Sequence, residues 1–261
     1  MIDFAGFSLL GILFASLIAF ALAIEFGRYL GRRARSAGGE HVSTLEGAVL
    51  GLLALMIGFT FAMSLSRHEA RREAVLSEAN SIVSAAMLAR LLPEPRNIEA
   101  LTLLSDYTGI RLSLKAQFLT PDSLRAAVER SNVIQEKLWR LGIGLADTDN
   151  AMVPTGLFIQ SLGQVFDNQT SRVAALRSHV PDIVLLGLYG IAVTAIGLLG
   201  YGSGVRPYQP RLPAYLVGSL IALVMLLIHD LDRPGSGFIH VSQLPMEEAA
   251  EAIAEQLGRP R

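Results

Sequence analysis

Few residues in this chain have the types and spacing to do chemistry, and those few gather at the ends of apolar segments. His229-Asp230-Leu231-Asp232-Arg233 puts an imidazole, two carboxylates and a guanidinium within one short stretch. Arg67 and His68 close another apolar run, and His179 and His240 flank further segments, leaving only His41 elsewhere. Imidazole titrates near neutrality and, with carboxylates, suits divalent transition metals, so a pH sensor or a metal site is one reading. No close spacing such as His-x3-His supports it, and two carboxylates fall short of the about six to eight oxygens that calcium takes. The simpler reading is an edge ion pair, Arg67 with Asp230 or Asp232, locking two segments together. Neither metal nor cofactor is expected. No strained nucleophile motif or phosphate-binding glycine loop stands out, so the chain is not expected to be an enzyme. Zero cysteines exclude disulfides, thiolate catalysis and Cys-type metal sites.

The elements that must carry these residues are read from composition and periodicity. The 261 residues are 51% hydrophobic and 17% charged, and mean hydropathy is +0.44. That is too apolar for an ordinary soluble domain. A net charge of −1 offers no basic surface for nucleic acid. Four segments reach the ~20 residues needed to cross a bilayer: about Phe4 to Phe26, Leu45 to Leu65, about Ile183 to Tyr201, and about Leu212 to Leu231. The first is not expected to be a cleavable leader, since no positive charge precedes it and arginines follow it. The expected fold is all-α, a multi-pass membrane protein with a helical insert outside the lipid. Its parts are 1–65 (two spans), 66–182 (insert), 183–232 (two spans) and 233–261 (tail).

Leu45 to Leu92 contains no proline and passes from an apolar to an amphipathic pattern. A continuous helix of that length would be roughly 70 Å long, against ~30 Å of hydrocarbon. Val75, Ala79, Ile82, Ala86 and Met87 keep its apolar stripe, with Arg71, Arg72, Glu73, Glu78 and Asn80 on other faces. Pro93-Glu94-Pro95 ends it. A helix to about Phe118 follows, then one capped by Thr120-Pro121 and reaching about Leu141, then one opened by Pro154-Thr155 and reaching Pro181. Met246 to Gly258 reads as an acidic helix, solvated or in contact with another subunit.

Gly47, Gly51, Ala54, Gly58 and Ala62 share one side of the second span, and Gly187, Gly190, Thr194 and Gly197 one side of the third. Small residues let backbones approach where no hydrophobic effect drives association, so these are expected to pack helices. Leu52, Leu55, Phe59 and Met63 form another flank of the second span. A ring of such side chains could gate a pore by dewetting, or they could face lipid or the third span. Near the edges, Ser43-Thr44-Leu45-Glu46 has capping-box spacing, and Glu25 stands three residues from Arg28, an i,i+3 pair.

Gly51-Leu52-Leu53-Ala54-Leu55-Met56-Ile57-Gly58-Phe59-Thr60-Phe61, followed by Ser64-Leu65-Ser66-Arg67, resembles the second transmembrane helix of bestrophin-like proteins. Glu69-Ala70-Arg71-Arg72-Glu73, Glu78-Ala79-Asn80, Leu91-Leu92-Pro93-Glu94-Pro95 and His229 to Pro234, with Gly237, Val241 and Ser242, resemble the bacterial bestrophin-like domain family more narrowly. The resemblance implies a homo-oligomer, pentameric in bestrophins, whose second helices line a central anion pathway with a hydrophobic neck. Gly51, Leu55 and Phe59 would then form that neck, with Leu52 and Met63 also lining the pathway. Gly51 would contribute no side chain, and His68-Glu69 replaces the aromatic pair usual after the bestrophin arginine.

Sidedness is open. Arg28, Arg32, Arg33 and Arg35 follow the first span, which by the positive-inside rule makes that loop cytoplasmic and puts the insert outside. Bestrophins have the insert in the cytoplasm, and Arg67, Arg71, Arg72, Arg172 and Arg177 offset the charge signal. The expected partners are the lipid bilayer, inorganic ions and further copies of the chain in a bacterial inner membrane. The rival reading is a non-conducting membrane scaffold whose insert binds a partner protein.

Overall fold

A computed structural model describes residues 8–34, 40–114, 121–148, 152–206, 210–234 and 237–258. The described elements are all helices: α1 (Leu9–Arg33), α2 (Glu40–Ala89), α3 (Arg96–Leu112), α4 (Pro121–Thr148), α5 (Met152–Arg177), α6 (Asp182–Val205), α7 (Leu212–Asp232) and α8 (Leu244–Gly258). They fall into two compact units. One comprises Met1–Arg67 with His179–Arg233, the other His68–Ser178 with Pro234–Arg261. Four helical stretches, Leu9–Arg33, Ser43–Ala89, Val153–Val205 and Leu212–Asp232, contain a window apolar enough to cross a membrane.

Several expected boundaries move. Phe4, the expected start of the first span, and Thr120, the expected cap of α4, lie outside the described residues. α1 begins after Ser8, whose Oγ accepts the Gly11 N–H at 3.0 Å, and continues past Phe26 to Arg33. Because α2 starts at Glu40, Ser43 and Thr44 lie inside the helix and the expected capping box is not used. Its far end tightens into i to i−3 bonds, Leu91 N–H to Leu88 O and Leu92 N–H to Ala89 O, before Pro93. α3 stops at Leu112 instead of near Phe118. There the Ser113 hydroxyl donates to Ile110 O at 2.6 Å, competing with continuation of the ladder. α4 passes Leu141 and ends at Thr148.

In the membrane unit, Phe20 and Ile24 of α1, Leu53 of α2, Leu188, Ala192 and Ile196 of α6, and Ala222, Met225 and Ile228 of α7 form one buried cluster. The close packing is between α1 and α6, through glycines not singled out from sequence. A Cβ on Gly27 would collide with Gly197 O, on Gly31 with Tyr201 O, on Gly200 with Ile24 O, and on Gly204 with Arg28 O. Gly27/Gly31 and Gly200/Gly204 are thus two small-x3-small pairs set against each other's backbones. The expected packing role of Gly47, Gly58, Gly187 and Gly190 is not realised within the subunit, since a Cβ on any of them would meet nothing within 4 Å. Ala54 and Ala62 are exposed. Gly197 has an ordinary contact, Ala23 O at 3.8 Å.

The second unit has its own core. Ile82, Ala85 and Ala86 of α2, Leu101 and Leu104 of α3, Leu138 of α4, Phe158, Leu162 and Val165 of α5, and Met246, Ala249 and Ile253 of α8 are buried together. The tail helix is therefore a core element of this unit, not a solvated appendage, because its apolar residues recur at 3–4 spacing. Met87, expected on the stripe, is 61% exposed.

At the centre of this core lies a charge cluster. Glu78, expected on a polar face, is fully buried, as is Arg111, and Arg172 is 2% exposed. Arg111 Nε donates to Glu78 Oε1 at 2.6 Å and Arg172 Nη1 to Oε2 at 2.7 Å. The Tyr107 hydroxyl lies 2.9 Å from Glu78 Oε1 and from Gln169 Oε1, and Arg172 Nη2 donates to Gln243 Oε1 at 2.9 Å. One carboxylate thereby ties α2 to α3, to α5 and to the segment before α8. Burial alone would raise the Glu78 pKa, but the Arg111 and then the Arg172 guanidinium, with their hydrogen bonds, outweigh it and hold the carboxyl below its ordinary range. Tyr107 is pushed up by burial and by the Glu78 charge, so it stays a neutral donor.

Removing one partner of a buried ion pair leaves the other charge uncompensated, a cost of about 3–5 kcal/mol. Glu78→Gln is expected to lower the thermal midpoint of the full chain in mild detergent, followed by circular dichroism. A carboxyl depressed in the folded state contributes stability above its unfolded pKa and loses it as pH falls through the folded value. Wild type should therefore weaken on acidification below the ordinary carboxylate range, and Glu78→Gln should lack that component. A variant as stable as wild type at neutral pH would contradict this.

Candidate functional site

The second span is held to its unit by one stripe only. Leu53, Thr60 and Ser64 are buried at 1%, 1% and 0% exposure, and Val49, Leu50, Met56, Ile57 and Phe61 pack partly beside them. Thr60 returns its hydroxyl to Met56 O at 2.8 Å, so it needs no partner across the interface. At 3.6 residues per turn, everything opposite that stripe faces away from the unit.

The pore-lining candidates lie there. Leu52, Leu55, Phe59 and Met63 are 48%, 55%, 64% and 36% exposed, and Gly51 would have nothing within 4 Å of a Cβ. Around the axis, Leu52, Leu55, Phe59 and Met63 form the bulky flank of this outward half. Gly47, Gly51, Ala54, Gly58 and Ala62 form the small-residue flank. Neither flank is covered by the subunit. Other outward apolar faces exist, such as Leu10, Phe14, Ile18 and Leu22 of α1, which repeat every fourth residue.

The edge residues behave differently. Asp230 and Asp232 are buried at 3% and 7% exposure in the last turn of α7, beside Arg233 at 7%. Asp232 Oδ1 accepts the backbone N–H of Val180 at 2.9 Å, tying α7 to the segment that leads into α6. Arg67 is half-buried on α2 in the same unit. The expected Glu25–Arg28 pair is not the one formed. Glu25 Oε1 accepts the Tyr215 hydroxyl at 2.9 Å and lies 3.9 Å from Arg211 Nε, while Arg28 Nη1 reaches Ser203 Oγ at 3.2 Å. The cause is the glycine seam, which draws the Arg28 side of α1 against α6.

Polar side chains also converge inside the membrane unit. Ser16 Oγ lies 3.3 Å from the Tyr189 hydroxyl, which lies 3.2 Å from His229 Nε2. This chain joins α1, α6 and α7. Tyr189 was the overlooked member, and its signal was a phenol in the middle of an otherwise apolar span, where a buried hydroxyl needs a partner. His179 and His240 are exposed. No group of three His, Asp or Glu that could hold a metal occurs among the described residues.

A protein-family model for the bestrophin-like domain matches residues 13–246. The chain belongs to the bestrophin-like domain family. Its fold is that of a bacterial bestrophin homolog from Klebsiella pneumoniae. One variant of that protein superposes with a TM-score of 0.70 at 13% identity, over 95% of this chain and 98% of that one. Another gives 0.69 at 14%, over 96% and 99%. A crystal structure described as a membrane protein gives 0.66 at 15%, over 96% and 99%. No curated protein matches. At these identities the bestrophin-like chain shares a fold with those structures, and its side-chain chemistry must be read from its own residues.

Asp232→Ala would leave the buried Val180 N–H without its acceptor, a cost of about 1–3 kcal/mol. Thermal stability measured by size-exclusion after heating should fall accordingly, and Asp232→Asn, which keeps an acceptor oxygen, should recover part of it. Equal loss in both variants would show that the charge, not this bond, matters.

Proposed function

We propose that several copies of this bestrophin-like chain assemble in a bacterial inner membrane into a passive ion channel, lined by the outward half of α2. The observation that carries this reading is the row Leu52, Leu55, Phe59 and Met63, large apolar side chains that the subunit leaves uncovered. A single four-span subunit has no interior to serve as a conduit, so the pathway lies on an axis between copies. Gly51, Leu55 and Phe59 recur every fourth residue and form the neck, with Phe59 and Leu55 constricting it by excluding water. The small flank, Gly47, Ala54, Gly58 and Ala62, is the surface on which a neighbouring helix approaches. Bestrophins conduct anions, which makes chloride the first ion to test, and five copies the first stoichiometry.

An ion pair from Arg67 to Asp230 or Asp232 belongs to the same reading. It would fix the end of the pore-lining span to the end of α7, where buried carboxylates need positive charge nearby. The insert, built on the Glu78 cluster, would form a vestibule.

Purified protein reconstituted in liposomes should release chloride faster than protein-free vesicles. Phe59→Ala should raise that flux several-fold by removing the bulkiest ring at the neck. Absence of flux from well-inserted oligomer across a range of pH and calcium would favour the non-conducting scaffold instead.

A further inference from the structure

At the edge of the membrane unit where α2 begins and α6 passes to α7, these three helices leave a cavity of about 230 Å³. Its walls include Glu46 of α2, Ser203 and Arg206 at the end of α6, and Leu199, Pro210 and Pro213. It is smaller than the roughly 300–1,000 Å³ typical of drug-sized ligands, so it admits a headgroup-sized molecule. Its lining combines charged Glu46 and Arg206 with apolar Leu199, Pro210 and Pro213.

The charged part is built. Glu46 Oε1 is buried and has no hydrogen-bond partner among the described residues. The carboxylate lies directly against α6 at Gly202, where any side chain would occupy the same space. Arg28, 8% exposed, braces the wall by donating to Ser203 Oγ, and the Ser203 hydroxyl in turn donates a hydrogen bond to Gly200 O at 2.7 Å. The serine is thereby satisfied, and Glu46 is the group in the wall that needs a donor. An unsatisfied carboxylate oxygen away from bulk water is costly, and no described residue supplies its donor, so a ligand that brought one would relieve that cost. Arg206 is exposed at the rim and is the cation whose field acts on Glu46. The site therefore presents an acceptor for N–H donors inside and a guanidinium for an anion at its mouth, as a small zwitterion requires.

We infer that this cavity binds a phosphate–ammonium zwitterion, its primary ammonium on Glu46 and its phosphate on Arg206, with Leu199 and Pro213 beside any apolar chain it carries. That chemistry has two sources, the headgroup of phosphatidylethanolamine or a free phosphoethanolamine. The inference stands apart from conduction, because none of these residues belongs to the outward half of α2.

Native mass spectrometry of the full chain in mild detergent tests it with three lipids of matched acyl chains. Phosphatidylethanolamine should be retained about tenfold better than phosphatidylcholine, whose ammonium has no N–H, and than phosphatidylglycerol, which has no cation. Glu46→Gln should abolish that preference. Gly202→Ala should weaken it by displacing the carboxylate, a cheap shift for the tip of a flexible side chain. Arg206→Ala, at an exposed position, carries the test should Glu46→Gln fail to fold. Displacement of the lipid by millimolar phosphoethanolamine supports the free zwitterion as ligand, and failure to displace it supports the lipid. Equal retention of all three lipids, or an unchanged preference in folded Glu46→Gln and Arg206→Ala, overturns the inference and leaves water as the occupant.

Discussion

The structure depends on one helix being buried along a single stripe in two different solvents. α2 runs unbroken from Glu40 to Ala89. In lipid, an interruption would strand backbone N–H and C=O groups with no water to satisfy them, so the span must stay helical. Beyond Arg67 the same chain has water available, and there the helix is held by side chains. Ser64, Arg71, Glu78 and Ala85 recur every seventh residue and are all buried, as are Val75, Ile82 and Ala89. Arg71 donates to the carbonyls of Ala175 and Ser178 at 3.3 and 2.8 Å, and Glu78 collects two arginines and a tyrosine. Propensity alone would not hold a helix of this length together in water. Burial of a polar–apolar seam does.

That seam explains which parts of the molecule were legible in the sequence. The spans were readable because bilayer thickness imposes a length and a composition that few other constraints imitate. Helix punctuation was readable at Pro93 and Pro121, where a fixed φ leaves little choice, whereas α5 starts at Met152, two residues before the expected Pro154. The charge cluster was not read, although Glu78 stands between Val75 and Ile82, and Arg111 between Tyr107 and Leu114, on stripes that were otherwise apolar. A charge on an apolar stripe is ambiguous until its partner is known, and the partners here come from residues 33 and 94 positions away. The glycine seam failed for a related reason. Glycines on α1, α2 and α6 have similar spacing, and only the packed structure shows that Gly27 and Gly31 lie against the α6 backbone and Gly200 and Gly204 against that of α1, while a Cβ on Gly47 or Gly58 would meet nothing within the subunit.

The openness of the small flank of α2 within the subunit is what gives the functional reading its force. Had the small flank of α2 packed inside the subunit, the bulky flank would have been one more lipid-facing surface. With α1 and α6 closing on each other instead, α2 is left attached by a narrow stripe and offers both flanks to the outside. The proposed channel needs such a helix, open both to a neighbouring copy and to a common axis. The edge carboxylates and the Ser16–Tyr189–His229 chain serve the opposite end of the problem, since they hold α1, α6 and α7 together as the body against which α2 stands.

The most direct test uses the absence of cysteine from the chain. Single variants Phe59→Cys, on the outward half of α2, and Phe14→Cys, on the outward face of α1, each place one thiol per subunit in an otherwise inert background. Chloride flux is measured in liposomes before and after a charged methanethiosulfonate reagent. The account predicts that modification at position 59 blocks most of the flux while modification at position 14 leaves it unchanged. Flux insensitive to modification at 59, with labelling confirmed by mass, would contradict it.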